Sequence, residues 1–231
     1  MKKIAIVVLI SSLLIGVFAA CNDREADSSI SEHTSLDQII ESPVILDHHM
    51  YMSDDERAFL YSSGQRHRAL VEIRAEQASA LANHGRIVIH EKEVANLAQH
   101  YKRMGERDPY EAARNSLMRR QALYLEAISQ GFDIASEEVY AVIQIQKEAT
   151  PDAVNFEDFL ILLDGAQMTL DEYWMSLYDI IRTDLVIYHY TNHLRRQFLT
   201  VNQSQHSTQD LHVMFDNMFE EKTALLIEKY R

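Results

Sequence analysis

Cysteine, glycine and proline are scarce in this chain. Among its 231 residues there are six glycines, three prolines and a single cysteine, Cys21. Sheets and tight loops need more glycine and proline than this, because both residues favour turn positions. One cysteine also excludes an intramolecular disulfide. The composition therefore predicts an all-α fold whose stability comes from helix packing.

Basic residues are also few. The chain has 22 Lys and Arg against 35 Asp and Glu, which gives a formal net charge of −13. From Cys21 onward, 20 basic residues face 35 acidic ones, a net charge of −15. Such a surface disfavours nucleic acid and anionic lipid headgroups as direct partners. It could favour basic polypeptides as binding partners, although solubility alone is the simpler explanation of the negative charge.

The sequence lacks the motifs of common enzyme classes. It has no Gly-rich phosphate loop, no G-x-S-x-G elbow and no dinucleotide fingerprint. His189 and His193 have the i, i+4 spacing of helical metal ligands, but a structural or solvated role is favoured because no third ligand is identifiable. Glu137 and Glu138 are adjacent at a predicted helix start, which suits the helix dipole. We predict no enzyme activity, metal or cofactor.

Residues 1–20 form a distinct N-terminal segment. Two lysines precede an apolar run of secretory length, and Ala19 and Ala20 are the small residues that a signal peptidase requires. Cys21 follows directly, and with Phe18 where a leucine is commoner the segment resembles the signal peptide and lipobox of bacterial lipoproteins. The resemblance implies cleavage between Ala20 and Cys21, lipidation of the Cys21 thiol and anchoring to the extracytoplasmic face of the cell membrane. An ordinary signal peptide and an uncleaved anchor are the alternatives.

Residues 21–52 are predicted to be the lipidated cysteine followed by a flexible tether. They are polar apart from an apolar patch at 44–46, and His48 and His49 are interpreted as solvated. Two or three acyl chains on one cysteine give stable anchoring, whereas one chain alone is marginal. Asn22 is not the aspartate associated with inner-membrane retention, so sorting to an outer membrane stays open.

A helical hairpin over 108–145 organises the remaining domain, which we predict over 53–231. Asp108 is a helix cap, Pro109 suits the first helical position and Gly131 suits the left-handed residue that ends the helix. The next helix opens at Ser136. Apolar residues of the first helix recur at helical spacing, interrupted by Gln121: Tyr110, Ala113, Leu117, Tyr124 and Ile128.

Two capping boxes, Ser53 with Glu56 and Thr169 with Glu172, mark further helix starts. The pattern predicts helices over 53–83 with a break near Gly64, 91–104, 156–165, 169–199 and 210–231, an extended segment over 86–90 and a polar linker over 201–208. As one helix, 169–199 would be about 46 Å long. The buried face of the last helix is predicted at Leu211, Met214, Phe215, Met218 and Leu225.

Two stretches carry a family resemblance. The first comprises Leu123, Tyr124, Glu126, Ala127, Gly131, Ser136, Glu137, Glu138 and Val139, and the second comprises Leu162, Gly165, Thr169, Glu172, Tyr173 and Trp174. Over roughly 85–200 the chain resembles the N-terminal chaperone domain of SurA and PrsA-type foldases, and it is similar to the substrate-cradling arms of trigger factor. The resemblance implies an all-α, SurA N-terminal-like domain with a long helix and a closing C-terminal helix.

The resemblance also implies a function. In these foldases a parvulin isomerase domain commonly precedes the closing helix, and here only the linker over 201–208 occupies that place, which is too short for a domain. We therefore expect a chaperone without isomerase activity that holds unfolded or nascent exported proteins. Candidate client-binding residues are Tyr173, Trp174, Tyr178, Met214 and Met218, although such stripes are more often core. The alternative is a structural lipoprotein that binds one envelope or spore-assembly partner.

Overall fold

The computed structural model describes residues 52–153, 155–202 and 207–231, and within them the fold is all-α, as predicted. Its eight helices are α1 (Asp54–His84), α2 (Glu91–Arg103), α3 (Pro109–Ser129), α4 (Ser136–Ala149), α5 (Phe156–Ala166), α6 (Leu170–Ser176), α7 (Tyr178–Asn202) and α8 (Thr208–Tyr230). A 3₁₀ turn, Thr150–Asp152, joins α4 to α5. The predicted signal peptide, Cys21 and nearly all of the tether lie outside the described residues, as does half of the predicted 201–208 linker, residues 203–206. The linker prediction is wrong at its ends, because residues 201 and 202 belong to α7 and Thr208 begins α8.

The helix starts predicted at Ser53, Asp108 and Thr169 are confirmed, whereas the last helix, predicted from 210, begins at Thr208. The capping boxes at Ser53 and Thr169 are both formed, and the Asp108 side chain accepts a hydrogen bond from the Glu111 amide at 3.1 Å. At the end of α3, Gly131 has φ 82°, and the next amide, of Phe132, donates to the Ala127 carbonyl at 3.0 Å. These caps satisfy backbone groups that a helix terminus leaves without intrahelical partners.

The predicted break near Gly64 is wrong, because this glycine lies inside a continuous α1 that crosses α5 at its backbone. A Cβ atom at Gly64 would lie 2.0 Å from the Leu162 carbonyl oxygen, and one at Gly165 would lie 2.0 Å from the Tyr61 carbonyl oxygen. Both glycines are therefore required by close packing. The left-handed residue that ends α5 is Gln167, with φ 53°.

The predicted single helix over 169–199 is also wrong, because the chain divides into α6 and α7 at Leu177. The Leu177 amide donates to the Trp174 carbonyl at 3.2 Å, a three-residue turn that tightens the helix. The Ser176 hydroxyl donates to the Tyr173 carbonyl at 2.6 Å, so a side chain competes for a backbone acceptor there. The short α6 can consequently pack separately against α4.

The hydrophobic core has two parts. The main cluster joins α3 to α8 and includes Leu123, Val139, Ile143, Phe159, Trp174, Val186, Ile187 and Phe215. The smaller cluster, between α2 and α3, has Val94, Ala98 and Ala113 at its centre. The closing helix α8 packs on α3, with Leu226 buried; Leu225, predicted to be buried, is 71% exposed.

Gln121 interrupts the apolar face of α3 because it binds the extended segment that precedes α2. Its side-chain amide donates to the Val88 carbonyl and its side-chain oxygen accepts from the Val88 amide, both at 2.8 Å. The neighbouring Ile87 amide donates to the Tyr230 carbonyl at 2.8 Å. The extended segment, predicted over 86–90, therefore connects α3 to the end of α8.

Candidate functional site

An open groove between α4 and α6 is the candidate functional site. Its lining residues are Glu137, Tyr140, Ala141, Ile143, Gln144 and Lys147 of α4 and Asp171, Trp174 and Met175 of α6, around a cavity of about 520 Å³. Tyr140 is 48% exposed and Met175 is 46% exposed. We call this site the α4–α6 groove. Its size is within the usual range for ligand-binding pockets.

The floor of the groove is held rigidly. Ile143 and Trp174 are buried, with 4% and 1% of their surfaces exposed. The indole nitrogen of Trp174 donates to the Thr150 hydroxyl at 3.2 Å, and that hydroxyl donates to the Gln146 carbonyl at 2.6 Å. Because the indole is hydrogen-bonded and packed, Trp174 holds the base of the groove in place, while little of its own surface is exposed there.

The rim combines adaptable apolar side chains with charges. The Tyr140 ring lies 5.2 Å from the ring of Tyr178, whose hydroxyl donates to Ser136 at 3.0 Å. At one end, Lys147 and Asp171 form an ion pair between the two helices at 2.9 Å. Such a site can bind an apolar segment by contact. Proton transfer or nucleophilic attack needs reactive groups converging on one point, which this lining does not supply.

The five predicted client-binding residues are not brought together. Tyr173 and Trp174 are core residues with 8% and 1% of their surfaces exposed, and Trp174 reaches the groove only as its floor. Tyr178 is half-buried beside Tyr140. Met214 and Met218 are half-buried on α8, outside the groove lining. As predicted for such stripes in general, most of these side chains serve packing.

Sequence reasoning missed Tyr140 and Met175, the two large apolar side chains that are exposed in the groove. The signal was present in α4, where Val139, Tyr140, Val142, Ile143 and Ile145 follow one another within seven residues. One helix face cannot hold all of them, because residues adjacent in sequence point in different directions. Some had to be exposed or to contact a second surface.

His189 and His193 have separate partners. His189 Nε2 lies 3.3 Å from a Glu138 carboxylate oxygen, and the His193 ring packs on the Phe132 ring with centroids 5.3 Å apart. In the part of the chain that the structure describes, no group of three or more His, Cys, Asp or Glu could hold a metal ion.

A polar network lies between α1 and the rest of the domain. His67 Nε2 is 2.8 Å from the Ser176 hydroxyl, and the His67 ring packs on the Tyr173 ring with centroids 4.7 Å apart. Burial, assisted by the Arg74 guanidinium, lowers the pKa of His67 to about 4. The imidazole is thus neutral at physiological pH. This contact fastens α6 to α1.

A half-buried ion pair joins α3 to α7. Arg120 Nε donates to Asp184 at 2.8 Å, and another guanidinium nitrogen donates to the Ile180 carbonyl at 3.1 Å. Burial raises the pKa of Asp184 in spite of the neighbouring Arg120. The pair positions the two helices, and truncation of one partner would leave the other charge half-buried without its partner.

The end of α8 is fixed to α3 through Glu126. Lys229 donates to its carboxylate at 2.6 Å, Tyr230 at 2.7 Å and Gln130 at 3.1 Å. Burial alone would raise the pKa of Glu126, but these donors outweigh it and lower the pKa to about 2. The carboxylate is thus ionised over the physiological range and holds the closing helix in place.

Comparison with known proteins gives no match. No known protein family matches the chain, and neither a curated protein nor a solved structure is significantly similar to it. Among the helices of the described residues, none is both long enough and apolar enough to cross a membrane.

Proposed function

We propose that the chain is a membrane-anchored, extracytoplasmic, chaperone-like lipoprotein that transiently holds non-native exported polypeptides and has no enzyme activity. The α4–α6 groove is the observation that carries this proposal. Tyr140 and Met175 are exposed beside each other at this groove, and tyrosine and methionine are side chains that protein-binding surfaces favour. The resemblance of 85–200 to SurA and PrsA-type foldases supports the same function.

The location rests on the N-terminal sequence. The apolar run of 1–20 followed by Cys21 supports export and lipid anchoring, which would put the helical domain where exported chains emerge unfolded. Replacing Cys21 with serine should prevent fatty-acid labelling and release the chain from the membrane fraction. Unchanged labelling and membrane retention of this variant would contradict the lipid anchor.

Aggregation of a model client tests the proposed holding activity. The full chain in nanodiscs of zwitterionic lipid should suppress light scattering by an unfolding model protein at near-stoichiometric ratio, and empty nanodiscs should not. Tyr140→Ala alone should be tolerated, whereas the double variant Tyr140→Ala with Met175→Ala should lose most of this suppression. Tyr110→Ala with Met104→Ala is the matched control, because both residues are exposed and lie outside the groove. No suppression by the unmodified chain would exclude general chaperoning.

The limited volume of the groove favours a second candidate function, the binding of one dedicated envelope or assembly partner. About 520 Å³ accommodates only a short segment. A dedicated interface should lose binding when one anchor is removed, whereas broad client binding tolerates single changes. Crosslinking from position 175 in native membranes separates the two functions: one dominant product supports a dedicated partner, and many products support a general chaperone.

A further inference from the structure

The length of the α4–α6 groove limits what it can bind. Glu137 and Lys147 lie near its ends on α4, ten residues apart, which corresponds to about 15 Å along the helix. An extended chain rises about 3.3 Å per residue, so the groove covers roughly four to five residues. This length suits a short extended segment of a polypeptide.

The groove interior selects apolar side chains. Ile143 and Trp174 beneath it are almost fully buried, so the large apolar side chains that it exposes to a ligand are those of its walls, Tyr140 and Met175. Methionine is flexible and polarisable, and tyrosine offers a wide rigid face, so together they can fit apolar side chains of different shape. A strongly polar segment would lose hydration against these side chains without gaining hydrogen bonds.

The charges around the groove select what flanks that segment. The helices α4 and α6 carry five acidic residues, Glu137, Glu138, Glu148, Asp171 and Glu172, against the single basic residue Lys147. Their net charge is thus −4, and Lys147 is already paired with Asp171 at 2.9 Å. Glu137 is exposed at the opposite end of the groove. Glu137 therefore presents a carboxylate at one end, and at the other end the exposed carboxylate of Asp171 is shared with Lys147.

The whole chain reinforces this local field, since its formal net charge is −13. A second copy of the chain, an acidic protein or an anionic lipid would bring like charge to the groove, which costs free energy. A ligand with lysine or arginine beside its apolar residues gains attraction and, through steering, a faster association rate.

We propose that the α4–α6 groove recognises an extended apolar segment of about four to five residues flanked by lysine or arginine, in a non-native exported polypeptide. This inference rests on the proposed function and specifies its substrate class. Binding is then strongest for chain segments that are both aggregation-prone and cationic, and it weakens as salt screens the flanking charges.

Fluorescent peptides test the charge preference with the full chain in zwitterionic nanodiscs. One peptide is Lys-Lys-Leu-Phe-Val-Leu-Lys-Lys, the second replaces every lysine with glutamate, and the third keeps the lysines around Ser-Gly-Ser-Gly. The lysine-flanked apolar peptide should bind roughly tenfold more tightly than either of the others at low salt, and its advantage over the glutamate-flanked peptide should fall below about threefold at high salt.

Matched variants locate the site. Met175→Lys should weaken binding of the lysine-flanked apolar peptide at least roughly tenfold, because it adds positive charge and removes an apolar wall. Met104→Lys makes the same change at a methionine that is 63% exposed and outside the groove, so it should leave binding unchanged. Glu137→Gln should reduce the advantage over the glutamate-flanked peptide about twofold to threefold. Circular dichroism verifies that each variant is folded.

The outcomes separate this inference from the proposed function. Suppression of client aggregation together with equal binding of the lysine- and glutamate-flanked peptides would overturn the inference and leave the chaperone proposal intact. Selective peptide binding without suppression of aggregation would support the inference for a dedicated partner and overturn general chaperoning. Equal effects of Met175→Lys and Met104→Lys would overturn the assignment to this groove.

Discussion

The contact between His67 and Ser176 makes the stability of the fold depend on pH. The pKa of His67 is lowered from 6.5 to about 4, chiefly by burial and also by Arg74. Between these two pH values the unfolded chain binds the proton more readily than the folded chain does. The contribution of His67 to stability is therefore complete above pH 6.5 and is lost as the pH falls toward 4.

Replacing His67 with glutamine should reduce this acid sensitivity, because an amide does not titrate and can still hydrogen-bond to Ser176. For the unmodified chain, His67 should account for a loss of about 2 kcal/mol in the free energy of unfolding between pH 7.5 and pH 5. Urea unfolding at the two pH values measures it. If the variant loses as much stability as the unmodified chain, His67 is not the titrating group.

The hydrogen-bond partners of polar residues within apolar helix faces could not be predicted from the sequence. Gln121 was visible as an interruption of the α3 seam, but its partner Val88 lies 33 positions earlier in the chain. Glu126 likewise depends on Lys229 and Tyr230, more than 100 positions later. Local periodicity identifies the polar residue that interrupts an apolar helix face. Its hydrogen-bond partner is distant in sequence and becomes known only from the tertiary fold.

At the scale of elements, the crossing of α1 and α5 determines how closely two helices can approach. Helix propensity alone predicts that Gly64→Ala stabilises the protein by about 1 kcal/mol. The Leu162 carbonyl, 2.0 Å from the position of the new Cβ, predicts the opposite sign. We expect Gly64→Ala to lower the free energy of unfolding by about 1–3 kcal/mol, because the two helices must separate.

Thermal unfolding followed by circular dichroism measures this effect. Gln65→Ala, at the adjacent exposed position of α1, is the control and should be neutral or slightly stabilising. Gly165→Ala should act in the same direction as Gly64→Ala, and the double variant should cost less than the sum, since one separation relieves both contacts. A gain of stability in Gly64→Ala would show that the helices do not touch there.

The elements themselves were largely predictable, whereas their tertiary relations were not. Caps at Ser53, Asp108 and Thr169 are local hydrogen bonds encoded within four residues, so the sequence indicated these starts correctly. The division at Leu177 and the crossing at Gly64 depend on distant segments. The α4–α6 groove was not predictable either, because it depends on the division between α6 and α7 and on the packing of α6 against α4.

For the whole molecule, the two core clusters predict unequal local stability. The cluster around Val94 has three fully buried side chains, all from α2 and α3, whereas the main cluster spans α3 to α8. The small cluster should open without the main one, because regions with few buried apolar contacts open at lower free energy. The only tryptophan, Trp174, reports on the main cluster alone.

Val94→Ala should therefore separate two unfolding signals. In urea, helical circular dichroism should begin to fall before the fluorescence of Trp174 changes, since α2 is released while the main cluster persists. Ile143→Ala is the control in the main cluster, where it should shift both transitions together, by about 2–5 kcal/mol. Coincident transitions in Val94→Ala would show that the two clusters unfold as one unit.

The contact between Gly64 and Gly165 also has an evolutionary consequence. Neither position can acquire a side chain while the other helix stays where it is, so the two sites are constrained as a pair and not one by one. Descendants of this fold should keep glycine at both, even after most of their surface has changed beyond recognition. This pair of glycines would then identify distant homologues that overall sequence identity no longer reveals. One glycine lies in a long first helix and the other near the end of a short fifth helix.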